Sequence, residues 1–206
     1  MFEPIRYVGF SMCGWESEGA VLNTRSNDAT RIELDFDGFP YALRDVQTVK
    51  KFADEHKLPM IAYFTGSKGC CITFGFVKLP YYEVRWNILR LASTLNLSST
   101  DLSIYKGIDR WIAPPGTLNR SSGLPSFIME KIPEPEKFYD LYKTSARILE
   151  GKHLSRPNPK GISQDTGERL IKIIEELYQK LPEERRNKID RYIKRKLREI
   201  KAKASP

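Results

Sequence analysis

The sequence predicts an α/β (α+β) fold that is followed by a helical segment. Segments that alternate between apolar and polar residues, as strands do, are interleaved with segments whose apolar residues recur every three or four positions, as in helices. Of the 206 residues, 40% are hydrophobic and 11% aromatic, which suffices for a substantial core. After Pro133 the composition shifts. We therefore expect one α/β domain over residues 1–150, a linker over 151–162 and a basic helical segment over 163–206.

The first half of the chain predicts a strand, a helix and a hairpin in succession. Val46, Val49 and Phe52 recur at helical spacing, and glycines mark the turn of the hairpin. The predicted elements are, in order, an irregular strand or hairpin (residues 7–24), a strand (31–37), a helix (43–56) and two strands (60–64 and 72–77) joined by a turn (65–69).

The second half predicts further helices around short strands. Prolines and glycines separate these elements, and apolar stripes mark the two last helices. The predicted elements are a helix (82–95), a short strand (101–104), a helical turn or strand (108–112), a strand (127–132), a helix (138–149), a linker (151–161), and two helices with the stripes Leu170, Ile173, Ile174, Leu177 and Ile189, Ile193, Leu197, Ile200.

The charge of the chain predicts a polyanionic partner. Lys and Arg number 34 against 26 Asp and Glu, a net charge of +8. Nucleic acid is the leading candidate and an anionic membrane surface the second. Between Arg185 and Lys203, ten residues are basic and only Asp190 and Glu199 are acidic. This run is either a solvated helix face or a nucleic-acid contact.

The cysteines and the chain's hydropathy predict a cytoplasmic protein. The three cysteines are Cys13, Cys70 and Cys71, and neither they nor the two histidines have the paired spacing of a zinc site. We expect a reducing compartment, no disulfide framework and no structural zinc. The first residues lack the apolar core of a signal peptide, and no later stretch is long and apolar enough to cross a bilayer, so we expect no membrane partner.

The strand over residues 31–37 carries an acidic face. Alternation places Glu33, Asp35 and Asp37 on one face, and apolar residues on the other. Carboxylates this close repel one another, so the face is either solvated or binds a divalent cation that in turn grips phosphates. Glu33 itself we expect to be a solvated strand residue.

The turn over residues 65–69 is a candidate anion site. Its glycines admit close approach of the backbone, its N–H groups can face an anion, and Lys68 adds positive charge. The turn is too short, and in the wrong context, to be a Walker A loop. The alternative is an ordinary hairpin turn with a solvated lysine.

Taken in order, these motifs resemble the catalytic subunit of archaeo-eukaryotic primases over residues 32–124. The resemblance rests on three segments: Asp35-Phe36-Asp37, Thr65-Gly66-Ser67-Lys68-Gly69-Cys70-Cys71, and Asp101 followed by Thr117-Leu118-Asn119-Arg120. It implies that Asp35, Asp37 and Asp101 are catalytic and hold two Mg²⁺ or Mn²⁺ ions. It also implies a nucleotide-binding set, which consists of Thr65, Ser67, Lys68, Cys71, Thr117, Asn119 and Arg120.

The chain departs from the family pattern at two positions. Cys71 and Asn119 stand where the family has histidines, and the family's zinc-binding insertion is missing. Asparagine still donates a neutral hydrogen bond to a phosphate oxygen, whereas a thiol is a poor donor. Triphosphate binding is then weaker than usual in the family, or it relies on Lys68, Lys106 or Arg120.

The resemblance implies a primase-type catalytic domain, in which small mixed sheets are flanked by helices. It further implies a DNA primase or primase-polymerase of plasmid, virus or archaeal type. Such an enzyme transfers nucleotides from NTP or dNTP along a single-stranded DNA template, and the family often works with a large primase subunit or a helicase. Two alternatives are a repair or end-joining polymerase of the same superfamily and a non-catalytic subunit that binds nucleic acid.

Overall fold

The computed structural model describes residues 10–11, 30–79, 81–101, 111–112, 115–151 and 163–204. The strands are β1 (Phe10–Ser11), β2 (Thr30–Asp37), β3 (Ile61–Phe64), β4 (Gly69–Val77), β5 (Trp111–Ile112) and β6 (Phe127–Ile128). The helices are α1 (Tyr41–Glu55), α2 (Tyr81–Thr94), α3 (Tyr139–Leu149), α4 (Gln164–Lys180) and α5 (Glu183–Ala204), with a 3₁₀ turn at Pro135–Lys137. The α/β class is confirmed.

The central sheet is antiparallel, so the expectation of mixed sheets is wrong. Its strand order is β2-β4-β3-β6, and every hydrogen-bonded pair in it is antiparallel. β2 and β3 do run in the same direction around α1, as a strand-helix-strand unit predicts, but β4 lies between them and runs the other way. A separate two-stranded sheet pairs β1 with β5.

The alternation of β2 separates the two faces of the sheet. Ile32, Leu34 and Phe36 are fully buried in the main hydrophobic core, which they share with side chains of α1 and α2 such as Val46 and Ile88. Their neighbours in sequence project from the opposite face. The apolar residues of β2 therefore hold the sheet to the helices, and the acidic residues face away from them.

Most element boundaries lie within a few residues of their predicted positions. β4 begins at Gly69, inside the predicted turn, and β6 ends at Ile128 rather than at residue 132. The predicted elements at 7–24, 101–104 and 108–112 lie outside the described residues except for β1, Asp101 and β5, and so does the linker beyond Gly151.

The two C-terminal helices pack on the rest of the chain. In α4, Leu170 and Ile174 belong to the main core, and Gly167 lies so close to β4 that a Cβ atom there would overlap the carbonyl oxygen of Phe76. In α5, Ile189 and Ile193 form a second cluster with Leu89 of α2 and Tyr178 of α4. The first predicted stripe thus faces apolar neighbours, and so does the second from Ile189 to Leu197. Among the described helices, none has the length and apolar character that crossing a bilayer requires.

Candidate functional site

A short segment after α2 docks along the free edge of β2 and brings Asp101 to the acidic face. The backbone N–H of Asp37 donates to the Ser99 carbonyl at 2.9 Å, and that of Asp101 donates to the Asp35 carbonyl at 2.7 Å. Phe36 and Thr100 are thereby paired in antiparallel fashion. Residues that oppose each other in such a pair project to the same side, with Cβ atoms about 5 Å apart, so Asp101 is the cross-strand neighbour of Asp35.

The electrostatics of Asp35 reflect this gathering of acids. Burial raises its pKa from 3.8 to about 7; a hydrogen bond from Cys71 works against the rise, and the negative charges of Asp37, Asp101 and Glu33 add to it. The four carboxylates therefore interact electrostatically although Asp101 is distant in sequence. A positive charge placed among them would relieve their repulsion.

Asp45 of α1, which sequence reasoning missed, holds the docked segment in place. This side chain is only 4% exposed, and its Oδ2 atom accepts three hydrogen bonds: from the Ser98 N–H at 2.7 Å, the Ser99 N–H at 2.6 Å and the Ser99 hydroxyl at 2.7 Å. Ser99 is also the residue that accepts from Asp37. Asp45 thus acts through Ser99 to position Asp101 beside Asp35.

Lys68 stands beside the acidic face. Its Nζ lies 2.6 Å from Oδ2 of Asp37, and its side chain is 73% exposed. The hydrogen bond and charge of Asp37, together with the charges of Asp101 and Asp35, raise the pKa of Lys68. A Cβ atom on Gly69 would overlap the Phe36 carbonyl oxygen and crowd Asp37, so the hairpin requires glycine there. The lysine-bearing turn and the acidic strand therefore form one site.

Cys71 and Tyr63 extend the polar face across the sheet. Cys71 lies opposite both Asp35 and Tyr63 in register, and its Sγ donates to Asp35 Oδ1 at 3.0 Å. Burial raises the pKa of this thiol well above its usual range, which keeps it protonated as a donor. Cys71 is thus a neutral hydrogen-bond donor to Asp35.

Glu33 is buried, and the expectation that it is solvated is wrong. It is 0% exposed, accepts a hydrogen bond from the Tyr63 hydroxyl and lies 3.3 Å from Nη2 of Arg31. Burial raises the pKa of Glu33, while Arg31 and Tyr63 lower it. Alternation correctly identified its face, but it did not indicate that this part of the face is covered.

The second and third motifs are in direct contact. The Asn119 side-chain amide donates to the Thr65 carbonyl at 3.0 Å, and the Ser122 hydroxyl donates to the Gly66 carbonyl. Gly66 has a positive φ of 79°, and a Cβ atom there would overlap the Leu124 carbonyl oxygen. We refer to this joint between the 65–69 turn and the 117–124 turn as the turn latch.

The remaining predicted nucleotide-binding residues lie on the two turns. The Thr65 hydroxyl donates within its own hairpin to Gly69, at 2.9 Å. Thr117 is buried, Ser67 is half-buried and Arg120 is exposed. Apart from Cys71, which lies in β4, the structure therefore brings the predicted set onto two adjoining turns. Nucleotide binding by these residues stays a prediction.

The donor chemistry of the acidic face suits a hard divalent cation. Carboxylate oxygens are the ligands that Mg²⁺ and Mn²⁺ prefer, and Asp35, Asp37 and Asp101 supply them on one side of the sheet. Within the described ranges, no three histidine, cysteine or acidic side chains form a ready-made metal group. The three aspartates share a face without being gathered around one point.

No protein-family model and no curated protein gives a significant match to this chain. The acidic face and the two turns are therefore the features from which a function can be inferred.

Proposed function

We propose that this protein is a template-directed nucleotidyltransferase, a DNA primase or primase-polymerase of plasmid, virus or archaeal type that uses NTP or dNTP. One observation carries the proposal: Asp101 lies beside Asp35 on the face that also holds Asp37, next to the turn that presents Lys68. Acidic oxygens for cations and a lysine for phosphates are the two requirements of phosphoryl-group chemistry.

The roles of the residues follow from their charges. Asp35, Asp37 and Asp101 would hold two Mg²⁺ or Mn²⁺ ions, and such ions would lower the pKa of the attacking 3′-hydroxyl and neutralise the charge of the departing pyrophosphate. Cys71 donates to one oxygen of Asp35 and so orients this carboxylate. Lys68 contributes a flexible positive charge for the triphosphate.

The two latched turns supply the rest of the nucleotide site. Arg120 is exposed on the 117–124 turn, which contacts the 65–69 turn through Asn119. A triphosphate held between Lys68 and Arg120 would contact two turns that are joined by hydrogen bonds. Fixing the phosphates in this way lowers the entropy cost of bringing them to the hydroxyl.

The test is nucleotide incorporation by variants of the acidic face. Asp35→Asn and Asp101→Asn each remove one negative ligand and should lower incorporation on a primed single-stranded template by at least about 100-fold in Mg²⁺ or Mn²⁺. Asp54→Asn, on the exposed side of α1, is the matched control and should retain full activity. Binding of single-stranded DNA should be nearly unchanged in all three. Normal nucleotide incorporation by both Asp35→Asn and Asp101→Asn would refute the proposal.

A second candidate is a non-catalytic subunit that binds nucleic acid. The direct ion pair between Lys68 and Asp37 favours it, because this lysine already neutralises one of the three carboxylates. Absence of incorporation by the wild-type protein with either cation, together with retained DNA binding, would select this candidate. A repair polymerase of the same superfamily would instead extend primers but fail to start chains.

A further inference from the structure

A groove separates α5 from the C-terminal end of α2 and the segment that carries Asp101. Its volume is about 810 Å³, within the range of roughly 300–1,000 Å³ that small-molecule sites occupy. Ala92 and Leu97 line one side, and Ile189 and Tyr192 of α5 line the other. The walls are thus mostly apolar.

The rim of the groove on α5 is mostly basic, with Glu184 as the one acidic side chain among the described residues that line it. Arg185 and Lys188 line the groove and are exposed. Tyr192 is 38% exposed, and the guanidinium carbon of Arg195 lies 5.8 Å from the centre of its ring. Positions 185, 188, 192 and 195 are separated by three, four and three residues, so they form a single stripe along the helix. Three positive side chains and one aromatic ring therefore share this stripe of α5.

We propose that this groove binds single-stranded nucleic acid, with bases against Tyr192 and the apolar walls and phosphates on Arg185 and Lys188. Apolar and aromatic surface for bases, bordered by cations for the backbone, is how proteins hold single strands without reading sequence. The inference rests on the proposed function in one respect, because a polymerase must carry a template to its acidic face.

The position of the groove supports that use. Ser98 and Thr100 also line the groove, and both belong to the segment that Asp45 holds at the edge of β2. Thr100 is adjacent to Asp101, with its side chain on the opposite side of the segment. A strand that leaves the groove here passes the sheet edge at which Asp101 lies.

The test is binding of a fluorescein-labelled oligothymidylate of 20 nucleotides, followed by anisotropy over a range of salt concentrations. The double variant Arg185→Gln/Lys188→Gln should bind at least tenfold more weakly, and the slope of log Kd against log salt should fall by about 1.4, or about 0.7 per lost phosphate contact. Tyr192→Ala should weaken binding about fivefold or more, whereas Tyr192→Phe, which keeps the ring, should not.

The matched control lies on the same helix. Lys194 and Arg198 are exposed and lie on a different stripe of α5 from the groove residues. Replacing both with glutamine removes two positive charges, as many as the groove variant loses. Lys194→Gln/Arg198→Gln should change the affinity less than threefold. Equal losses in the two double variants, or no binding by the wild type, would overturn the groove assignment.

The groove proposal and the polymerase proposal can fail independently of each other. If the wild type binds in the expected pattern but incorporates no nucleotide, the groove proposal stands and the polymerase proposal fails. If it incorporates nucleotides while Arg185→Gln/Lys188→Gln binds the oligonucleotide as tightly as the wild type, the groove proposal fails and the polymerase proposal stands.

Discussion

The two faces of β2 are built from alternate residues of one strand, yet they have opposite energetic effects. On one face Ile32, Leu34 and Phe36 lie in the core and are fully buried. Burial of such a side chain contributes about 1.5–3 kcal/mol to stability. On the other face Asp35 is buried close to three further carboxylates, which raises its pKa and costs stability. A single strand thus anchors the fold and holds a destabilising acidic cluster in place.

The largest stability effect should come from the apolar face. Leu34→Ala removes a fully buried side chain from the core and should lower the free energy of unfolding by about 2–5 kcal/mol. Urea denaturation followed by circular dichroism measures this change. Leu149→Ala, at an exposed position of α3, should cost far less. Similar losses in the two variants would mean that the apolar face is not the anchor of the sheet.

Replacing an acidic residue of the other face should raise the stability of the protein instead of lowering it. Because the pKa of Asp35 is raised from 3.8 to about 7 in the folded protein, the unfolded chain releases this proton first as pH rises. Stability is therefore lost between pH 4 and about pH 7, and above that the penalty is on the order of 2–4 kcal/mol. Asp35→Asn does not titrate, so in EDTA it should be more stable than the wild type at pH 8, with a smaller gain at pH 5.

Urea denaturation at the two pH values measures this difference. Asp54→Asn, at an exposed position, should show no comparable dependence on pH. A stability difference between Asp35→Asn and the wild type that is the same at pH 5 and pH 8 would contradict a raised pKa of Asp35 in the folded protein.

A smaller loss of stability should follow from replacing Asp45, which holds the Asp101 segment at the edge of β2. Asp45→Ala leaves two N–H groups and a hydroxyl without their acceptor, at a cost of about 1–3 kcal/mol. The cost should fall on the docked segment, so the amide protons of Ser99 and Asp101 should exchange faster, while that of Ile72 in β4 should not. Hydrogen exchange by NMR measures this. Uniformly faster exchange would instead indicate global destabilisation.

Local sequence patterns predicted much of the fold and part of the candidate site. The alternation of residues 31–37 predicted which side chains of β2 are buried with the helices and which are acidic neighbours, because the period of a strand is two whatever surrounds it. The helical spacing of Val46, Val49 and Phe52 predicted α1 for the same reason.

Features that depend on distant segments were not predictable. The insertion of β4 between β2 and β3 has no local signature, and neither has the cover over Glu33. Asp45 is a single acid in a helix, and its hydrogen-bond donors lie 53 and 54 residues further along the chain. Only the folded chain shows that this acid positions Asp101.

The turn latch has a consequence for how the sequence can vary. Asn119, Ser122 and Leu124 each meet the backbone or the glycine of the 65–69 turn, so a substitution in one loop alters the space that the other must fill. Neither loop can accept an insertion or a bulkier residue at the joint unless its neighbour changes as well. In divergent homologues of this protein, the two loops should therefore change in sequence together.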